Sequence, residues 1–321
     1  MIEIVFLGTG GSMPTENRNL PAIAIRYQKG ILLLDCGEDI QRQIERAGLG
    51  LNKKMAIFIS HIHADHLLGL PGLLLRFSLL GRVKPLKIFG PKELIEYVKV
   101  NQSTINLGTT FETTVYAIEP GMVFQDEDLT VMAFEVDHRG VAFGYMISLQ
   151  RPTGEFLPSV AKKLGIPKGP LWGQLASGES ITLDNGTKIH PDEVTAPRPK
   201  PLTIVYSGDT RPCASLSEAA ENADVLISEA MYTTEHADLA EDRGHSTAHA
   251  VAQLASDAKV NLLVLTHYSP RYFDGTEILD EGIAVFSNTL LARDLMRISL
   301  DKNGHATVIE PGVQPPSKDQ V

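Results

Sequence analysis

The sequence predicts an α+β fold: two β-sheets sandwiched between helices, a four-layer αβ/βα arrangement, with one inserted segment. Three observations predict it. Strand-like runs come first as hairpins and later alternate with helix-like segments, in two halves. Several of these runs end on histidine or aspartate. Between the halves, residues 151–201 lose apolar periodicity and gather proline and glycine. Residues 1–150 and 202–310 therefore read as two halves of one domain, 151–201 as an insertion and 311–321 as a loose tail.

Each element follows from local pattern. Apolar runs at 2–7 and 22–27 are strands; Gly30 breaks the chain, and 31–34 returns as a hairpin. Residues 38–47 are helix-like and stop at Gly48. Ala56-Ile57-Phe58-Ile59 is a strand. Residues 67–80 are apolar nearly all round, which predicts a buried helix. A strand at 86–89 precedes a helix opened by Pro91, and β-like segments follow at 113–118, 129–136 and 142–149. The insertion far exceeds the ~12 to 15 residues at which structureless loops become uncommon, so it is expected to carry function. Beyond it come a strand at 202–206, a helix at 216–222 and a strand at 225–228. A helix at 247–258, capped by Ser246, a strand at 261–266 and a mostly helical stretch at 277–295 complete the pattern.

Composition narrows the class. Of 321 residues, 43% are hydrophobic and 6% aromatic, so a core exists and aliphatic side chains fill it. Cys36 and Cys213 lie far apart, which implies no disulfide framework and fits a reducing cytoplasm. The N-terminus lacks a basic flank and a long apolar run, so no signal peptide is expected, and no segment suits a membrane helix. The formal net charge of -10 argues against non-specific nucleic-acid binding, though it leaves room for a local basic surface.

The most informative stretch is Ser60-His61-Ile62-His63-Ala64-Asp65-His66, directly after a strand. Imidazoles and carboxylates are the ligands zinc takes where water is to be activated. His61 and His63, two apart on extended chain, can face one side, while Asp65 and His66 reach a second point. One cluster cannot fill two coordination shells. Further candidates stand at strand ends: His138 after Asp137, Asp209 after Ser207-Gly208, and His267 after Thr266. His190 and His305 read as surface residues.

The HxHxDH motif, with His138, the Gly208-Asp209-Thr210 turn and His267, resembles the metallo-β-lactamase superfamily. The resemblance implies that His61, His63 and His138 bind one metal, Asp65, His66 and His267 a second, and that Asp209 bridges. Four further features resemble tRNase Z, the endonuclease family that trims tRNA 3′ ends. Gly244-His245-Ser246-Thr247 is similar to its HST motif, whose histidine assists catalysis. Ser228-Glu229-Ala230-Met231 is similar to its HEAT motif, with Ser228 for the histidine and Met231 for the threonine; Glu229 would support His245. His267-Tyr268-Ser269-Pro270-Arg271-Tyr272 carries the Ser-x-Arg-Tyr element, which puts Arg271 near the metals. The insertion resembles the family's flexible arm, or exosite, with Gly169-Pro170 as its GP motif and Lys162, Lys163 and Lys168 supplying positive charge toward tRNA. Arg18 and Asn19, after Pro14, fit the loop beside the cleavage site.

The resemblance implies an endoribonuclease that removes 3′ trailers from precursor tRNA by two-metal hydrolysis, leaving a tRNA 3′ hydroxyl and a trailer 5′ phosphate. Water attacks, oriented by Asp65; His245, supported by Glu229, is the candidate acid for the leaving 3′ oxygen. Two Zn2+ per subunit are expected, with Mn2+ or Fe2+ as alternatives. A cytoplasmic homodimer and no membrane partner are also expected. A small-molecule phosphodiesterase or thioesterase on the same fold is the alternative enzyme. A non-catalytic RNA-binding protein on that fold is the alternative class.

Overall fold

The computed structural model describes residues 2–50, 52–151, 154–197 and 199–309. The expected loose tail lies outside them. The first half runs β1 (Ile2–Gly8), β2 (Ala22–Tyr27), β3 (Gly30–Leu34), α1 (Ile40–Arg46), β4 (Lys54–Phe58), α2 (Ala64–Leu67), α3 (Gly69–Leu79), β5 (Leu86–Gly90) and α4 (Glu93–Thr104). It continues through β6 (Thr113–Ala117), β7 (Gly121–Asp126), β8 (Leu129–Glu135) and β9 (Phe143–Leu149). The inserted segment holds α5 (Pro158–Lys163), α6 (Pro170–Ala176), β10 (Ile181–Thr182) and β11 (Lys188–Ile189). The second half runs β12 (Leu202–Tyr206), α7 (Ala214–Ala220), β13 (Val225–Glu229), α8 (Ala237–Arg243), α9 (Ala248–Asp257) and β14 (Leu263–Thr266). It ends in α10 (Thr276–Val285), β15 (Thr289–Leu291), β16 (Arg297–Leu300) and β17 (Ala306–Ile309).

Besides the two-stranded pair β10-β11, two large sheets form, in the orders β17-β16-β1-β2-β3-β4-β5-β6 and β15-β14-β13-β12-β9-β8-β7. Their facing sides meet in an aromatic cluster. Phe58 stacks on Phe89 at 4.9 Å and meets Tyr145 edge-on at 5.4 Å. Tyr145 Oη donates to the Ile59 carbonyl at 2.6 Å, so its polar end is satisfied inside the core. The outer face of the first sheet packs Val5, Leu33 and Ile57 against Ile40, Leu70, Leu74 and Leu94 of the helices. The second sheet packs Val205, Leu226 and Leu265 against Leu216, Val251 and Ile278. This is the expected metallo-β-lactamase layering.

The parallel pairs β3-β4-β5 and β12-β13-β14 matter most for function. Parallel strands are buried on both faces and release their loops at one end, where ligands of open α/β sheets bind.

Several elements differ from the sequence expectation. The helix expected at 67–80 divides at Leu68, and α3 buries Leu70, Leu73, Leu74 and Phe77 while Leu75 and Leu79 stay exposed. It is one-sided, not buried all round. Helix α10 stops at Val285, because β15 pairs with β14 as an edge strand. Strands β7, β16 and β17 were not expected; β16 pairs with β1 and β17 with β16. Helix α9 is capped by Thr247, whose hydroxyl accepts from the Ala250 N–H, and not by Ser246. Ser246 Oγ instead donates to the Thr210 carbonyl at 2.6 Å.

Residues Ser148–Leu202, with Asp126–Leu129, form a second compact unit. It has a core of its own: Ala161, Ile166, Leu175, Ile181, Ile189 and Val194, with Trp172 packed against it. Trp172 Nε1 donates to the Ile166 carbonyl at 3.1 Å. Asn185-Gly186 turns between β10 and β11, with Gly186 at a positive φ of 83°.

Candidate active site

The donors converge at the ends of the strands. His61 and His63 follow β4, His138 follows β8, Asp209 follows β12 and His267 follows β14; Asp65 and His66 open α2. The ligating atoms of His61, His63, His138 and Asp209 all lie within 4.8 Å of one another, as do those of Asp65, His66 and His267. Asp209 Oδ2 links the sets, at 3.8 Å from His61 Nε2, 3.3 Å from His66 Nε2 and 3.4 Å from His267 Nε2.

The surrounding hydrogen bonds fix which nitrogen of each ring faces inward. Asp35, fully buried, accepts from the Ser60 N–H at 2.7 Å, Ser60 Oγ at 2.8 Å, His66 Nδ1 at 2.7 Å and Tyr206 Oη at 2.6 Å. The Ser60 proton is thus committed, so its oxygen accepts from His61 Nδ1 at 3.0 Å. His138 Nδ1 donates to the Gly244 carbonyl at 2.6 Å. The Nε2 atoms of His61 and His138 are then bare lone pairs pointing into the site, as metal-ligating histidines held by outer partners are. His66 differs: burial opposes its charge, but Asp209, Asp35 and Asp65 outweigh it and hold its pKa well above the usual histidine range, so it must release a proton to take a metal.

Both of the bare nitrogens of His61 and His138 face His63. His63 Nδ1 stands 2.9 Å from His61 Nε2 and 3.2 Å from His138 Nε2. His63 Nδ1 can carry only one proton for these two acceptors, a crowding that a cation among the three nitrogens would relieve. Donors 2.0 to 2.1 Å from a tetrahedral ion are roughly 3.3 Å apart, close to the spacing here. Asp209 Oδ1 is buried with no hydrogen-bond partner among the described residues. The residues therefore fit two divalent ions.

Electrostatics agree. Burial, joined by neighbouring imidazoles, pushes His61 and His63 below the usual histidine range, and burial does the same to His138. All three favour the neutral form that binds metal. Burial opposes ionisation of Asp65 and Asp209, but the neighbouring histidines His66 and His267 outweigh it and hold both carboxyls well below the usual range. Asp65 Oδ2 also accepts the Ser12 N–H at 2.9 Å. The glycine-rich turn before Ser12 is a close-packed lid on His267: a Cβ at Gly11 would sit 2.9 Å from His267 Cε1 and 2.8 Å from Met231 Sδ.

His245 completes the site. Its Nδ1 lies 2.8 Å from Glu229 Oε1, and its nearest approach to Asp209 is 3.9 Å. Glu229 is buried and accepts three backbone N–H groups, from Thr210, Met231 and Ser246. Burial disfavours charge on His245, yet the charge and hydrogen bond of Glu229, with Asp209, push its pKa up to about 9. Asp65, Asp209, His245 and His267 line one cleft of about 500 Å³.

Other expected residues fall elsewhere. Arg18 is a correction: it is buried, donating Nη1 to the Tyr268 carbonyl at 2.8 Å and Nη2 to that of Tyr272 at 3.0 Å, over the Tyr268 ring. It braces the His267 loop, with its guanidinium closed off from solvent. Asn19 is half-buried, with its backbone N–H and Nδ2 both donating to Asp294 Oδ2 at 2.8 Å. Arg271 is exposed, with its guanidinium 5.3 Å from the Tyr232 ring centre, and is not among the residues lining the cleft. Lys162, Lys163, Lys168, Gly169 and Pro170 are exposed on the second unit. His190 and His305 are exposed, and His236 Nδ1 lies 3.2 Å from Tyr272 Oη. Asp35 was missed. The available signal was an acidic residue ending the wholly apolar run 31–34.

The family described as anti-Pycsar protein Apyc1 matches residues 2–150. Ribonuclease Z of Methanosarcina mazei is 42% identical over 302 residues, spanning 94% of this chain and 98% of that protein. The chain belongs to the ribonuclease Z family. Among solved structures, the short form of human tRNase Z aligns with a TM-score of 0.65 at 26% identity, over 93% of this chain and 99% of that one. YhfI of Bacillus subtilis, a metallo-beta-lactamase fold protein, aligns at 0.67 with 19% identity, over 92% and 99%, and shares the fold. Membership of the ribonuclease Z family extends across the insertion as well as both halves.

Proposed function

We propose that the protein is an endoribonuclease that removes 3′ trailers from precursor tRNA by two-metal phosphodiester hydrolysis. The observation that carries it is the placement of His245, backed by buried Glu229, in the same cleft as both donor sets. His61, His63 and His138 would hold one ion, Asp65, His66 and His267 the other, with Asp209 between them. Two Zn2+ suit this histidine-rich set, and Mn2+ or Fe2+ can occupy similar ones. Ions held by these residues would supply Lewis-acid chemistry, making water more acidic and offsetting charge on the phosphate oxygens.

The chain's own residues do the rest. Asp65, fixed by the Ser12 N–H, orients the attacking water. His245 presents Nε2 to the substrate, because Nδ1 is committed to Glu229. Its raised pKa keeps it protonated at neutral pH, as an acid for the leaving 3′ oxygen requires. The products are a tRNA 3′ hydroxyl and a trailer 5′ phosphate. Arg271 reaches substrate from the rim. Lys162, Lys163, Lys168 and the Gly169-Pro170 turn bind the tRNA body. No helix among the described residues is long and apolar enough to cross a membrane. A cytoplasmic homodimer is part of the same proposal and rests on the family resemblance alone.

Parallel assays on a 3′-extended precursor tRNA, bis(p-nitrophenyl) phosphate and a glutathione thioester test the reading. Cleavage of the precursor to a 3′ hydroxyl, abolished by chelation, is expected. Hydrolysis of the thioester with no cleavage of the precursor would sink it.

A further inference from the structure

The cleft carries two arginines that the metal motif does not explain, Arg139 and Arg243. Both are exposed and both adjoin the site in sequence: Arg139 follows His138, and Arg243 precedes Gly244-His245. Nearby Arg211 is already committed, with Nε donating to the Glu241 carbonyl at 2.9 Å and Nη1 lying 3.1 Å from the Asp137 carboxylate. Arg139 is partly committed, since Nη2 donates to the Asp242 carbonyl at 2.6 Å and stands 3.7 Å from its carboxylate.

Arg243 differs. Among the described residues it pairs with no carboxylate, and Nη1 touches only Tyr232 Oη, at 3.5 Å. Tyr232 is itself fully buried, and its ring carries the Arg271 guanidinium. A rigid tyrosine thus steadies one guanidinium by its hydroxyl and another by its face.

The charge balance of the cleft gives Arg243 a task. The scissile phosphate would be met by the ions that Asp65 and Asp209 hold. A guanidinium without a counter-ion in the same cleft then suits a further anion, and phosphate is an anion it can bind with two parallel hydrogen bonds. In RNA the nearest such anion is the adjoining phosphate. Its side follows from His245, two residues on: the leaving 3′ oxygen belongs to the upstream nucleotide, so the phosphate next to it lies on the tRNA side.

The geometry points to Arg243 as the subsite for the phosphate immediately upstream of the scissile one, with Arg139 beside it. The inference rests on the RNA-hydrolase reading. It explains what a polymeric substrate offers that a single diester does not.

The test pairs a variant with a neutralised phosphate. A minimal 3′-extended tRNA is made with either a normal or a methylphosphonate linkage upstream of the cleavage point. For the metal-loaded wild-type enzyme, the neutral linkage should raise KM by roughly tenfold with kcat changed far less. Arg243→Ala should show the higher KM already on the normal substrate, and almost no further response to the neutral linkage. It should also lower the slope of log KM against log salt by about 0.7, one single-strand phosphate contact. Arg243→Lys should keep most of the sensitivity, since it keeps the charge. Equal responses of wild type and Arg243→Ala to the neutral linkage overturn the subsite, as does a lysine variant as insensitive as alanine. A wild-type enzyme that fails on the normal precursor removes the RNA-hydrolase reading instead.

Discussion

At the scale of single residues, the site depends on groups that touch no substrate. Asp35 gathers four donors and so fixes the Ser60, His61 and His66 side chains at once. Asp35→Asn keeps the shape but places an amide where a carboxylate now accepts. Metal affinity is expected to fall by about 10- to 100-fold with all seven donors still present, measured by competition with a chromogenic chelator. Glu229 acts on His245 in the same manner. Because the His245 pKa is raised, the acid form is present below about 9 and is lost as pH rises through that value. Glu229→Gln removes the charge that raises it, so the basic limb of the kcat profile should move to lower pH. A limb at the same pH in both enzymes would separate Glu229 from the proton donor. The seven donors were legible because short motifs and strand ends carry them. Arg18 was not: it is held by carbonyls some 250 positions away, and nothing local reveals that a loop arginine is buried.

At the scale of elements, strand ends aim the chemistry and close packing holds the aim. Gly11 shows how little space remains over His267. Its substitution by alanine forces the His267 ring or the Met231 side chain to shift, since both lie under 3.0 Å from the new methyl. Gly11→Ala should therefore weaken metal retention, seen by elemental analysis after dialysis, while far-ultraviolet circular dichroism is preserved. Thr247 offers a contrasting change of stability: loss of its cap on α9 should cost about 1 kcal/mol, read from the denaturant midpoint. The strands of the parallel core were legible because burial on both faces makes them continuously apolar, as in β3 and β4. Strand β15 and the end of α10 were not, because pairing with β14 decides them and not the local pattern. Likewise the apolar residues of α3 suggested full burial, whereas Leu75 and Leu79 are exposed.

At the scale of the whole molecule, an acidic chain must take up an acidic polymer. The formal charge is -10, yet residues 151–201 hold seven Lys and Arg against five Asp and Glu. The segment is folded, with its own small core, so its lysines are presented on a defined surface and not on a loose coil. It is also closed at its base. Leu157 N–H donates to the Val194 carbonyl at 2.7 Å, and Ala196 N–H to the Glu155 carbonyl at 2.8 Å, so the two chains entering it run side by side. Removing 157–194 and joining the ends through two glycines therefore spans a short gap, with little loop-closure cost. All seven candidate ligands, His245 and Glu229 lie outside the deleted residues. The shortened enzyme should hydrolyse bis(p-nitrophenyl) phosphate much as the full chain does. On precursor tRNA, kcat/KM should fall by roughly 10²-fold, and the salt dependence should flatten as the lysine contacts are lost. Equal loss on the two substrates would mean that the segment supports the catalytic centre and does not recognise tRNA. Loss on tRNA alone would show that substrate choice in this chain resides in a separately folded piece with a positive balance of charge.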